Sequence, residues 1–184
     1  MAVVYAVKNG NWSDTSTWNT GALPQPGDTV CANNYTVTID QDVDLWVSGS
    51  PAGIITTRAY SPAVAGGGFR CERDNTVIKC QTIEGYTTTL TITANNATIY
   101  SDVVGSNHAS TQNLYAITFS GAGTLQIYGN VTGGSGARCH CGVNNYSSGT
   151  ISITGNVTGG SSDSAYGVIN NSNGTISITG NVTG

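Results

Sequence analysis

The chain has 184 residues, a formal net charge of −4 and only 9% charged side chains, against about 25% in an ordinary soluble domain. It carries no basic stripe, which argues against nucleic acid as a partner, and no apolar stretch long enough to span a bilayer, which argues against membrane insertion. With so little charge its surface must be built from Thr, Ser, Asn and Gly, and its wealth of Thr, Val and Ile separates it from disordered chains, which are usually charged and poor in β-branched residues.

Residues 1–48 differ from everything that follows. Met1–Lys8 has neither the basic start nor the apolar run of a secretory signal. Asn9-Gly10-Asn11-Trp12-Ser13-Asp14-Thr15-Ser16-Thr17-Trp18 places two tryptophans six residues apart in a polar stretch. Rings of that size must cover something, and a cap over the open first coil of a repeat stack is the expected use. A sugar platform made of Trp12 or Trp18 is the competing use. Leu23-Pro24-Gln25-Pro26-Gly27-Asp28-Thr29-Val30 is a turn leading into a strand, and Tyr35–Asp40 alternates as a strand with one buried face. Val43, Leu45 and Val47 extend that period.

Residues 49–96 read as irregular early coils. Ser50-Pro51-Ala52-Gly53 and Ser61-Pro62 are turns, and Thr56–Gly68 is expected to project outward. Thr76–Ile83 and Thr87–Thr93 read as strands.

Residues 97–184 are repetitive. Gly149-Thr150-Ile151-Ser152-Ile153-Thr154-Gly155-Asn156-Val157-Thr158-Gly159 recurs intact at Gly174–Gly184, an offset of 25 residues. A degenerate copy, Gly123–Gly133, lies 26 residues upstream of the first. A weaker coil, Ile99-Tyr100-Ser101-Asp102-Val103, precedes it and matches Ile127–Val131. Periods of this size signal stacked repeats. Within each copy the isoleucines fall at i and i+2, the period of a strand. The expected fold is all-β, a right-handed parallel β-helix with coils of about 25 residues and an N-terminal capping module. The columns Ile127/Ile153/Ile178 and Val131/Val157/Val182 stay aliphatic, as do Ile117/Val143/Val168. Asn130, Asn156 and Asn181 form a column that is either a side-chain ladder or a row of ordinary turn residues. The chain stops on a consensus copy, which predicts that the stack continues beyond residue 184.

The sequence offers little that could carry catalytic chemistry. From Gly121 onward Asp163 is the one acid, so no glycosidase-type carboxylate pair can form there. Asp40, Asp42 and Asp44 alternate on one predicted strand and share a face, which suits solvated charges or a calcium ion. Glu72, Asp74 and Glu84 flank a predicted hairpin without catalytic spacing. Cys139-His140-Cys141, with His108 one coil away, invites a zinc reading, but the Cys141 column is a packing column and the spacing is too tight for structural zinc. Five cysteines (Cys31, Cys71, Cys80, Cys139 and Cys141) argue against a full disulfide framework. A Cys71–Cys80 pair across the hairpin is conceivable, and reduced thiols are the default for a particle assembled in a cytoplasm. The sequons at Asn34, Asn96, Asn130, Asn156 and Asn181 follow from composition and repetition. No catalytic, cofactor or metal residue is therefore assigned.

The stretch GNWSDTSTWNTGALPQPGDTVCANNYTVTIDQDVDL, with its W-S-D…T-W element, P-x-x-G-D-x-V turn and T-V-T-I-D strand, resembles the opening module of phage tail and virion-appendage proteins with a β-helical body. Ala65-Gly66-Gly67-Gly68-Phe69 and the Gly-Asn-Val-Thr coils are similar to theirs as well. The resemblance implies a non-enzymatic virion protein, a tail spike or fibre or a capsid-attached fibre. Residues 1–48 would dock to other virion proteins and the repeat stalk would project for host attachment. It also implies a homo-oligomer, a trimer by preference, and a host-surface glycan bound by a more distal part. The alternatives are a secreted bacterial adhesin or surface filament, or the non-catalytic part of a β-helical polysaccharide-degrading enzyme.

Overall fold

The structure, a computed structural model, describes residues 2–48, 53–57, 67–107, 113–135, 140–161 and 164–184. The chain folds as a parallel β-solenoid of about six turns with a spacing near 26 residues. Among the described residues the helical content is a single 3-10 turn, Thr15–Thr17, and no helix is long and apolar enough to cross a membrane.

Strand pairing arranges the coils as a three-faced stack. One face runs through Thr29–Cys31, Ile54–Thr56, the second half of Thr76–Glu84, the second half of Ala97–Val104, Val131–Thr132, Val157–Thr158 and Val182–Thr183. A second face runs through Gly10–Asn11, Thr36–Ile39, Gly68–Cys71, Leu90–Ile92, Leu114–Phe119, His140–Asn145 and Val168–Asn170. The third runs through Val43–Asp44, the first halves of Thr76–Glu84 and Ala97–Val104, then Thr124–Tyr128, Thr150–Thr154 and Thr175–Thr179. Every one of these pairings is parallel.

Register makes each face contribute one continuous apolar column. Val30, Ile55, Ile83, Val103, Val131 and Val157 superpose and are buried. So do Val37, Phe69, Leu90, Ile117 and Val143, and likewise Val43, Ile78, Ile99, Ile127 and Ile153. The columns anticipated from the repeats are therefore present, and they reach further towards the N-terminus than the sequence pattern indicated. Val3–Tyr5 pairs with Thr29–Cys31, so stacking begins inside the opening module.

Two local readings are corrected. Cys71 and Cys80 do not flank a hairpin: Gly68–Cys71 and Thr76–Glu84 lie on different faces of one coil. Both thiols point into the core and neither is part of a disulfide. Asp40, Asp42 and Asp44 do not share one strand either, because the chain turns a corner between Thr36–Ile39 and Val43–Asp44. Most of the Thr56–Gly68 loop lies outside the described residues.

The asparagine column is a ladder, and its donor is the backbone. Asn130 Oδ1 accepts the Asn156 N–H at 3.0 Å, and Asn156 Oδ1 accepts the Asn181 N–H at 3.0 Å. Asp102 starts the series by accepting the Asn130 N–H at 2.7 Å. The glycines before these asparagines exist for a steric reason. A Cβ on Gly155 would sit 2.1 Å from the Gly129 carbonyl oxygen, and one on Gly129 would sit 2.1 Å from that of Ser101.

That crowding gives a direct expectation. Gly155→Ala should destabilise the fold by about 1–3 kcal/mol, through strain and overpacking. Ser152→Ala, on the outward side of the preceding strand Thr150–Thr154, should leave urea unfolding nearly unchanged.

Candidate functional site

The tryptophan pair of the opening module is structural. Trp12 and Trp18 are each 2% exposed. Their rings meet edge to face at 5.1 Å, and Trp12 also lies 5.9 Å from Phe69. Trp18 Nε1 donates to the Trp12 carbonyl at 3.0 Å, satisfying the one polar atom the ring buries. The residues between them explain the W-S-D…T-W pattern. Ser13 N–H donates to Asp40 in the neighbouring coil at 3.1 Å. Asp14 caps the 3-10 turn through the Ser16 N–H at 2.9 Å. The Ser16 hydroxyl and N–H, with Lys8 at 3.2 Å, hold the Asp14 carboxyl at about 2. Buried Thr17 donates to the Asn11 carbonyl at 3.0 Å. In the turn that follows, Asp28 accepts the N–H groups of Ala2 and Gln25, both at 2.9 Å. These polar residues of the module thus tie the first rung down.

Among the described residues the acids do not gather into a site. Asp42 accepts the Val77 N–H at 3.0 Å and pairs with Arg73 at 2.8 Å, contacts that lower its carboxyl, the Val77 bond most. Asp44 accepts the Trp46 N–H at 3.0 Å and lies 4.0 Å from Lys79. Asp74 accepts from Asn95, and Glu72 pairs with Arg70 at 3.4 Å. Among the described residues no three His, Cys, Asp or Glu side chains converge as metal ligands would.

His140 is fully buried, and its Nδ1 donates to the Ser106 carbonyl at 3.0 Å. Cys141 is buried beside Tyr115, the packing position expected of it. It is disulfide-bonded, which corrects the expectation of reduced thiols at that position. His108, Cys139 and Asp163 lie outside the described residues.

The feature the sequence reading passed over is an open cleft of about 720 Å³ on the third face. Tyr100 and Tyr128 occupy the same column in successive coils. Their rings stack at 4.9 Å with an interplanar angle of 11°, the separation of neighbouring strands. The Lys79 ammonium lies 5.8 Å over the Tyr100 ring. Trp46, 55% exposed, stands at the opposite end, and Gln81 and Asp102 complete the polar lining.

A β-bulge shapes this cleft. Tyr100 pairs with Lys79 and Asp102 with Thr82, so Cys80 and Gln81 together oppose Ser101. Alternation along the strand turns Cys80 inward and Gln81 outward, and the bulge interrupts it, so that Thr82 follows Gln81 on the outer side before Ile83 returns to the core. Signals for the cleft did exist in the sequence. Tyr100 and Tyr128 align in adjacent coils, and Trp46 falls on the solvent parity between Leu45 and Val47.

Two outcomes follow from these environments. Trp18→Ala should lower stability by about 3–5 kcal/mol in thermal or urea unfolding, the range for truncating a buried large aromatic. Burial pushes the Cys80 thiol from 9.0 up to about 12, against a smaller opposing effect of the Ser101 hydroxyl at 3.4 Å. The unfolded chain therefore ionises this thiol first. Its contribution is complete below pH 9 and falls by about 1.4 kcal/mol per pH unit above it, until the folded value is passed. Urea unfolding between pH 8 and pH 11 should show that slope in the native chain and a shallower one in Cys80→Ala.

No protein-family model, curated protein or solved structure matches this chain.

Proposed function

We propose that this chain is a structural component of a virion appendage, either a phage tail spike or fibre or a capsid-attached fibre. One observation carries the reading: an uninterrupted parallel stack that begins at a rung closed by Trp12 and Trp18. A stack of this kind holds its shape without a partner at every coil, as a projecting shaft requires. The likeness of residues 9–48 to the opening modules of such appendages adds the docking end. Several copies on a symmetric particle would convert weak contacts with a host surface into firm attachment.

The test is to raise antibodies against the chain and label purified particles and host cells for electron microscopy. The expected result is label at one recurrent position on the particle, with a native mass of a homo-oligomer, a trimer in the first instance, after mild dissociation. Label confined to bacterial surfaces free of particles would overturn the virion reading in favour of a secreted adhesin.

A further inference from the structure

We infer that the cleft between Trp46 and Tyr128 is a binding site for a neutral oligosaccharide. This goes beyond the appendage reading and does not depend on where the chain sits in a particle.

The first support is what the cleft exposes. Trp46 is 55% exposed and Tyr100 and Tyr128 each 42%, and Trp46 has no ring partner among the described residues. Elsewhere the fold buries its tryptophans, as at Trp12 and Trp18. Indole and phenol rings present an apolar body with a polar tip, which suits a sugar whose C–H face stacks while its hydroxyl edge bonds.

The second support is preorganisation. Leu45 N–H donates to the Lys79 carbonyl at 2.8 Å, and the Leu45 carbonyl accepts from Gly27 at 3.0 Å, so the backbone beside Trp46 is held on both sides. Asp44 Oδ1 takes the Trp46 N–H itself. Tyr100 sits within its strand and Tyr128 at the end of its own, stacked on one another. Little ordering remains to be done on binding.

The third support is the polar lining. Strand alternation turns Gln81 outward, and its side-chain amide has no hydrogen bond among the described residues. Asp102 uses Oδ1 for Asn130, leaving Oδ2 without a protein partner among them. Donors and acceptors thus flank the rings, as in sites that fix small ligands by a few convergent polar groups.

Charge and topology narrow the class. Lys79 is balanced by Asp44 at 4.0 Å and Asp102 lies alongside, in a chain of net charge −4. A polyanion would find no net attraction there. The backbone under the cleft is paired on both sides in parallel ladders, so an added peptide strand would find no free edge.

The test uses the full chain and reads intrinsic fluorescence. Trp12 and Trp18 are buried, so an added ligand should act on Trp46. The probes are maltohexaose, cellohexaose, chitohexaose and a sulfated heparin hexasaccharide. At least one neutral hexasaccharide should shift the emission saturably, with a dissociation constant below about 10 mM. Calorimetric titration should then show at least tenfold weaker binding for Trp46→Ala and for Tyr128→Ala, with melting unchanged in Trp46→Ala. Tyr166→Ala, exposed on another face, should bind as the native chain does.

Silence of all three neutral probes would overturn the proposal, as would binding of the sulfated probe alone. Undiminished binding in both variants would overturn it too. A concentration-dependent shift of Trp46 emission, with a matching rise in sedimentation mass, would do the same by making the cleft an interface between copies.

Discussion

Each coil of this solenoid completes its backbone hydrogen bonding on the coils above and below. That single constraint governs the rest. Parallel pairing in register puts residue upon residue, so a side-chain choice in one coil is repeated or answered in the next. Three inward columns become one continuous core. At the corners the same requirement is met by side chains. Asp102, Asn130 and Asn156 each offer an oxygen to the N–H of the following coil, 28, 26 and 25 residues on. The spread in spacing shows that register is kept by the ladder while loop length varies between rungs.

The same rule explains why the outer surface can carry a linear array. A column that would otherwise hold Thr154 and Thr179 holds Tyr128, Tyr100 and Lys79 in the earlier coils. Changing an outward residue costs the core nothing, since its neighbours in the strand point the other way. The repeats near the end of the chain display the plain form of the coil, and the coils between residues 76 and 128 display the elaborated one. The bulge at Cys80–Gln81 belongs to that elaboration, since it places two residues of one strand opposite the single Ser101 of the next.

The stack from Tyr100 to Thr183 was legible because repetition exposes parity. Ile127, Ile153 and Ile178 could be laid over one another without knowing the fold, and the structure keeps that register. The early coils were less legible because their loops differ in length. Val43 pairs with Ile78 and Ile78 with Ile99, a relation no local repeat reveals. Alternation at Asp40, Asp42 and Asp44 misled for a related reason, since period two persists through a corner although the strand does not. The burial of Trp12 and Trp18 was legible from composition. The opposite fate of Trp46 needed knowledge of which coil lay over it, and for the same reason no hairpin signal could show that Cys71 and Cys80 sit on separate faces.

The orientation of the ladders has a mechanical meaning. The bonds between rungs lie along the axis of the stack, so a pull on the two ends tensions all the bonds of a rung at once. The same load then passes undiminished to the next rung, as in links of a chain. The strength of the shaft is that of its narrowest link, and the two-residue strands Gly10–Asn11 and Val43–Asp44 make the early links narrow. Trp12 reaches past Thr36–Ile39 to the ring of Phe69, two rungs along its face. That contact acts as a splice across the thin section, carrying load beside the hydrogen bonds where they are fewest.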